Sequence, residues 1–221
     1  MAVQLKTRGV GVVLRGVFNP LIFQPAWFAS CELISKREAE GARIEVIHRD
    51  AAVFSTEWLE IRILRDSFFA GTSQDSFHEQ LRDLVLGTFD LLSHTPVHLM
   101  GLNSDYHYSL PSEKALNFIR NKLAPKSPWQ KLLDSPEMVT VGMKGKRKSP
   151  YEGWISVQVE PSRKVEPGIY IGVNDHYQLT DKPEPVQGTR LVTEILRKRW
   201  GESLERAQSI AASIAYLGAD K

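Results

Sequence analysis

Three aspartates and one histidine have the chemistry for a catalytic centre. Asp105 and His107 lie two positions apart in "SDYHY", so on a β-strand both side chains point to the same side of the sheet. Asp66 and Asp175 occupy similar places on two other predicted strands. Together the four would form a small hydrolytic metal site, whereas separately they are solvated strand ends. We favour the second interpretation because no further metal-binding motif supports the first, and we predict no catalytic residue, metal or cofactor.

A predicted hairpin loop combines cations with aromatic rings, a mixture that single-stranded nucleic acid favours. Its members are Lys144, Lys146, Arg147, Lys148, Tyr151 and Trp154. We favour the alternative, a solvated hairpin tip, over a loop that contacts phosphates. The whole chain carries 28 Lys and Arg against 26 Asp and Glu, a net charge of +2. Contact with a polyanion would therefore depend on this local patch.

Other motifs that often mark a site fail on spacing. "RGVGVVLRG" continues as a strand after its glycines, so it does not place a phosphate at a helix N-terminus. "GMKGKRKS" lacks the Gly-Lys-Ser/Thr ending of a P-loop. His94 and His98 are separated by Pro96, which breaks the helix that would align their rings. Cys31 has no neighbouring base to activate it as a nucleophile.

"FNPLIFQPAWF", residues 18–28, combines large apolar side chains with two prolines. Pro25 stands where a helix begins, because the N–H that proline lacks would have no partner in the first turn. We predict that this segment covers a hydrophobic surface. That surface is either the protein's own sheet, which we favour, or a partner protein anchored through Leu21, Ile22, Phe23, Trp27 and Phe28.

The hydrophobic pattern predicts the elements that must position these residues. We expect one helix over 25–40, two strands over 43–72, and a long amphipathic helix after the capping box "SFHE" at 76–79. The pattern after residue 137 predicts three strands, at 138–144, 154–160 and 168–177. It then predicts two helices, at 189–200 and 202–217.

The order of these elements predicts an α+β fold. "WLEIRILRDSFF" and "GIYIGVNDHYQL" are each followed by a polar loop and a helix, so each half would be a hairpin with a helix on one face. We predict a two-layer sandwich of mostly antiparallel sheets, each with helices on one face. "APKSPWQKLLDSPEM", 124–138, has three prolines and joins the predicted halves 1–125 and 126–221; one continuous domain is the alternative.

Composition places the chain among ordinary globular proteins, with 42% hydrophobic and 24% charged residues in 221. The single Cys31 cannot form an intramolecular disulfide. The N-terminus lacks the apolar run of a signal peptide, and no stretch approaches the length of a membrane span. We therefore expect a cytoplasmic protein outside the membrane.

Four stretches, "FNPLIF", "LEIRILRD", "MGLNSDYHY" and "IYIGVNDHYQL", resemble in their order a sporadically distributed bacterial family of unknown function. Members of that family occur in mobile-element or phage-defence neighbourhoods. The resemblance covers nearly the whole chain and implies an α+β fold with no catalytic residues. The "QPAWF" helix start and the basic loop at 144–148 depart from the family pattern.

These observations favour a non-catalytic interaction or assembly subunit of a bacterial multi-protein system. Its partner would be another protein or a second copy, held by the aromatic segment 18–28 and by the edge strands of the sheet. A nucleic-acid-binding component acting through the basic loop is the first alternative. A small metal-dependent hydrolase is the second.

Overall fold

The computed structural model describes residues 2–147, 150–180 and 185–218, with the backbone alone at 185–188. The strands are β1 Gln4–Gly16, β2 Arg43–His48, β3 Ala51–Ser55, β4 Glu60–Leu64, β5 Ser67–Thr72, β6 Val97–Ser109, β7 Val141–Lys146, β8 Gly153–Pro161 and β9 Gly168–Gln178. The helices are α1 Pro25–Ser30, α2 Lys36–Glu40, α3 His78–Leu91, α4 Glu113–Leu123 and α5 Pro185–Ala215. In the described ranges, no helix is long and apolar enough to cross a membrane.

The strands form one nine-stranded sheet in the order β2-β3-β4-β5-β1-β6-β9-β8-β7. Every neighbouring pair is antiparallel. Burial alternates along the central strands: on β9, Ile171 and Val173 are buried while Tyr170 and Asn174 are partly exposed. The helices pack on the face that carries Ile171, which leaves the other face open to solvent. The predicted α+β two-layer sandwich is confirmed.

A single sheet serves both predicted halves of the chain. β6 belongs to the first half and β9 to the second, and they pair without interruption from Leu99↔Gln178 to Ser109↔Gly168. Two apolar clusters fill the covered face, one centred on Phe68 and Phe89 and the other on Ile169 and Ile171. The chain from 124 to 140 runs between α4 and β7 outside these strands.

Local signals misplaced some boundaries. The helix predicted over 25–40 is two short helices, since Glu32 adopts a φ of 59° that ends α1. The capping box lies at Ser35, whose hydroxyl accepts from the Glu38 N–H at 3.1 Å and whose own N–H donates to the Glu38 carboxylate at 2.7 Å. The box predicted at 76–79 is absent, because α3 begins at His78 without a side-chain cap. The two strands predicted over 43–72 are four.

The two helices predicted on either side of Gly201 are one continuous helix, α5. A Cβ built on Gly201 would have no atom within 4 Å. We expect Gly201→Ala to raise the free energy of unfolding by about 0.5–1 kcal/mol, because glycine loses more backbone entropy in a helix than alanine does. Urea denaturation followed by circular dichroism measures this change.

Gly87→Ala in α3 is the matched control. Its Cβ would lie 2.4 Å from Leu33 Cδ2, so overpacking offsets the gain in helix propensity. Equal stabilisation by the two substitutions would contradict this packing.

Candidate partner-docking surface

The aromatic segment 18–28 packs mainly into the protein's own core. Phe23 and Phe28 are almost fully buried, with ring centroids 5.7 Å from Phe68 and Phe54, respectively. Ile22 and Trp27 are partly buried against the same cluster, and Leu21 is 47% exposed. Of the five side chains predicted as a partner anchor, Phe23 and Phe28 therefore present almost no surface. The segment mainly covers the helix side of the sheet.

The predicted basic loop is divided between the two faces of the sheet. Lys144 and Lys146 are exposed on the open face, where Lys144 Nζ lies 3.5 Å from the centroid of the Trp154 ring. Trp154 stacks on His176 with centroids 3.8 Å apart. Lys148 lies outside the described residues. The ring of Trp154 thus already has a cation and an aromatic neighbour.

Arg147 and Tyr151 belong to the covered side instead. Arg147 has a side chain only 1% exposed, and its Nε donates to Asp175 at 2.6 Å. Tyr151 donates from its hydroxyl to Glu194 on α5 at 2.8 Å. The polar groups of these two residues are held within the fold, so they do not share the open face with Lys144, Lys146 and Trp154.

The four candidate catalytic residues do not converge. Asp66 forms an exposed ion pair with Arg15 at 2.9 Å. Asp105 and His107 lie on the open face, as their spacing predicted, whereas Asp175 lies on the covered face in contact with Arg147. In the part of the chain that the structure describes, no three His, Cys, Asp or Glu side chains are grouped to hold a metal ion. The hypothesis of a hydrolytic metal site built from these four is therefore wrong.

His107 and Ser162 are hydrogen-bonded to each other, but the serine oxygen is occupied by other contacts. The Ser162 Oγ accepts from the backbone N–H groups of Lys164 and Val165 at 3.1 Å and lies 2.8 Å from His107 Nδ1. Since a hydroxyl has one proton and two acceptor sites, Ser162 must donate its proton to His107. Burial, with help from Lys164, lowers the pKa of His107. This serine caps a turn and is not free to attack a substrate.

An apolar surface that the sequence analysis missed lies between α4 and β7. Thirteen large hydrophobic side chains are exposed in the described ranges, and five of them fall within 129–143. They are Trp129, Leu132, Leu133, Val139 and Met143, and we call them the 129–143 patch. Such a concentration marks an interaction surface more often than scattered exposed residues do.

Local structure explains why these side chains face outward. The N–H groups of Leu132 and Leu133 donate to the Trp129 carbonyl, which makes a single helical turn. A groove of about 280 Å³ opens beside this turn, with Trp129, Leu133 and Val139 among its lining residues. Val139 is 76% exposed and Met143, on β7, is 69% exposed. Met143 lies opposite Val157, on the face that the helices cover elsewhere.

The patch adjoins a free sheet edge and carries positive charge. β7 is the last strand of the sheet and pairs only with β8 among the described strands, so its outer backbone groups have no strand partner. Residues 120–146 include six basic and two acidic side chains, a net charge of +4 in a chain whose total is +2. One of the two acids, Glu137, is paired with Arg120 at 2.7 Å. The surface is therefore apolar with a basic surround.

No protein-family model matches the chain, and no curated protein matches it significantly. The sequence does contain a signal for this surface, because "WQKLL" at 129–133 holds three of the five apolar residues of the 129–143 patch. Three nearby prolines favoured its interpretation as a linker instead.

Proposed function

We propose that this chain is a non-catalytic interaction subunit that holds a partner protein at the 129–143 patch. The observation that carries the proposal is the concentration of exposed apolar side chains beside the free edge of β7. The resemblance to a family found in mobile-element or phage-defence neighbourhoods supports a place in a bacterial multi-protein system.

The energetics of the patch suit a protein interface. Fully burying one large apolar side chain is worth about 1.5–3 kcal/mol, and binding energy concentrates in a few such side chains around a central aromatic residue. Trp129, at 52% exposure, lines the groove and is the natural anchor. The patch therefore offers both a pocket and a protruding contact, Leu132.

Charge selects the kind of partner. A second copy would bring the same net charge of +4 against this surface, and like charges across an interface oppose association. An apolar segment with acidic flanks has the complementary pattern. An extended segment of that kind can also pair with the free backbone groups of β7. We therefore take the partner to be another protein that presents an acidic and apolar segment.

Site-specific photocrosslinking in the producing cell tests the proposal. We expect a benzophenone amino acid at Leu132 to give a discrete protein adduct that weakens when Trp129 is also changed to alanine. Both positions are exposed, so the substitutions should alter stability by about 0.5–1 kcal/mol or less. The crosslinked segment, identified by mass spectrometry, should be apolar with acidic flanks.

Leu91 on α3 is the matched control, since it is 57% exposed and lies outside the patch. The same adducts from both positions, or none from Leu132, would contradict the proposal. An adduct of about twice the chain mass of 25.0 kDa would show self-association instead.

A nucleic-acid contact is the second candidate, because Lys144 and Lys146 are exposed on the same face as Trp154. A nuclease-sensitive adduct that is lost in Lys144→Glu/Lys146→Glu would favour it over a protein partner. Arg147 is unsuitable for such a charge reversal because its side chain is buried.

A further inference from the structure

The face of the sheet that the helices leave open carries a polar groove. Its volume is about 540 Å³, and it runs over β6, β9, β8 and β7. Of the twelve described residues that line it, Met143, Val157 and Val173 contribute backbone, because their side chains lie on the covered face. The other nine are glycines or carry a hydrogen-bonding group. A ligand in this groove therefore meets polar side chains and bare backbone.

A row of unpaired polar side chains crosses the groove. Asn103, Asn174 and Ser156 lie opposite one another on β6, β9 and β8, so neighbouring Cβ atoms in the row are about 4.5–5.5 Å apart. All three are partly exposed, and none forms a side-chain hydrogen bond with the described residues. The Asn174 Oδ1 is buried against Gly101, which leaves its Nδ2 for a ligand. Amides and hydroxyls include both donors and acceptors, so the row suits an uncharged ligand.

Asp105 lies beside this row and is held in place by a tyrosine. Its Oδ1 accepts from the Tyr170 hydroxyl at 2.5 Å, and it forms no ion pair among the described residues. Its partners on the two neighbouring strands are Gly9 and Gly172, which have no side chains to cover it. The Tyr170 ring lies across Gly172, where a Cβ would be 2.7 Å from the tyrosine Oη. Asp105 thus offers a ligand its second oxygen, and the ring offers an apolar contact.

The charges on the open face favour a neutral ligand. Among the described residues that line the groove, only Asp105 and Lys144 are charged, and the Lys144 Nζ lies 3.5 Å from the centroid of the Trp154 ring. A second cavity of about 670 Å³ adjoins the groove at Asp105. Its open-face charges have both signs, from Glu45, Glu57 and Glu60 and from Arg62 and Lys164. A polyanion would find no surplus of cations along this surface.

We propose that this groove, centred on Asp105, binds a neutral saccharide. Each sugar hydroxyl can donate one hydrogen bond and accept others, which matches a carboxylate oxygen beside amide and hydroxyl groups. A few well-placed polar groups of this kind fix the orientation of a ligand in a pocket. An apolar peptide would find few side chains to contact here. Met143 borders both this groove and the 129–143 patch, but its side chain lies on the other face, so neither proposal depends on the other.

A glycan array probed with the full chain, followed by calorimetric titration of the neutral oligosaccharide that binds best, tests this site. We expect saturable binding of at least one neutral oligosaccharide, and none of heparin oligosaccharides or oligo(dT). Asp105→Asn keeps an oxygen for the Tyr170 hydroxyl but replaces the second acceptor with an N–H donor, so affinity should fall by about tenfold or more. Asp90→Asn, which changes an exposed aspartate on α3, should leave the affinity unchanged.

Two glycines of β7 test the position of the site without altering its hydrogen bonds. A Cβ built on Gly142 or on Gly145 would have no atom within 4 Å, so isoleucine fits at both positions. Gly142 faces the groove and Gly145 faces the other side of the sheet. Gly142→Ile should therefore block saccharide binding, whereas Gly145→Ile should preserve it.

The melting temperature of each variant shows whether its fold is kept. The proposal is overturned if no neutral saccharide gives saturable binding, or if heparin or oligo(dT) binds instead. It is also overturned if folded Asp105→Asn or Gly142→Ile binds the saccharide as tightly as its control variant.

Discussion

Replacing Asp175 with alanine is expected to lower the free energy of unfolding by about 3–5 kcal/mol, because it leaves a buried cation without its counter-ion. Asp175 accepts from Arg147 Nε at 2.6 Å, Ser203 Oγ at 2.8 Å and Arg206 Nη1 at 2.9 Å. Its own side chain is 3% exposed and that of Arg147 is 1% exposed. Arg147 keeps contacts with the carbonyls of Glu152 and His176, but these are dipoles and do not neutralise its charge.

Most of this loss in the free energy of unfolding should come from Arg147, the cation that Asp175→Ala leaves buried and unpaired. Arg206 retains its ion pair with Glu202 when Asp175 is removed, and it is nearer to solvent. Chemical denaturation with two probes, tryptophan fluorescence and circular dichroism, measures the change and tests whether unfolding stays cooperative.

Asp66→Ala is the matched control for this substitution. It also removes an aspartate paired with an arginine at 2.9 Å, but the side chains of Arg15 and Asp66 are 50% and 71% exposed. Exposed pairs of this kind contribute about 0–1 kcal/mol. Similar losses for Asp175→Ala and Asp66→Ala would show that the Asp175 pair is not buried as the structure has it.

Phe28→Ala is expected to lower the free energy of unfolding by about 3–5 kcal/mol, the range for removing a fully buried ring. Phe28 is 0% exposed, and its ring lies within 6.4 Å of Phe23 and 5.7 Å of Phe54. Its removal leaves a cavity where α1 meets the sheet. Denaturation of the purified chain gives the value directly.

Leu21→Ala separates the structural role of this segment from a role in binding. Leu21 is in the same segment but 47% exposed, so we expect a loss of about 1 kcal/mol or less. If Phe28→Ala is as mild as Leu21→Ala, the segment does not pack into the core, and its interpretation as a partner anchor regains support.

Both predictions concern residues that were candidates for function by sequence. Asp175 was a candidate metal ligand, and Phe28 was a candidate partner anchor. In the structure, Asp175 neutralises a buried arginine and Phe28 fills the core. The proposed partner surface lies instead in a proline-rich segment that has five large apolar side chains exposed.

The sequence by itself determined the properties that depend on near neighbours along the chain. Alternation with a period of two placed Asp105 and His107 on the same side of β6. The same period gave the strand at 168–177, and the apolar stripe after residue 76 gave the long helix α3. These features follow from backbone geometry, so a short window of residues is enough to predict them.

Only the tertiary structure decided which side of each strand became buried and which edges stayed free. Asp105 and Asp175 look alike in sequence, but β6 and β9 pair in a register that puts them on opposite faces of one sheet. Arg147 points inward because its guanidinium pairs with Asp175 on the covered face. The 129–143 patch stays exposed because no described helix covers the end of the sheet at β7. Such outcomes depend on contacts between residues far apart in the chain, and the spacing of residues within one segment carries no information about them.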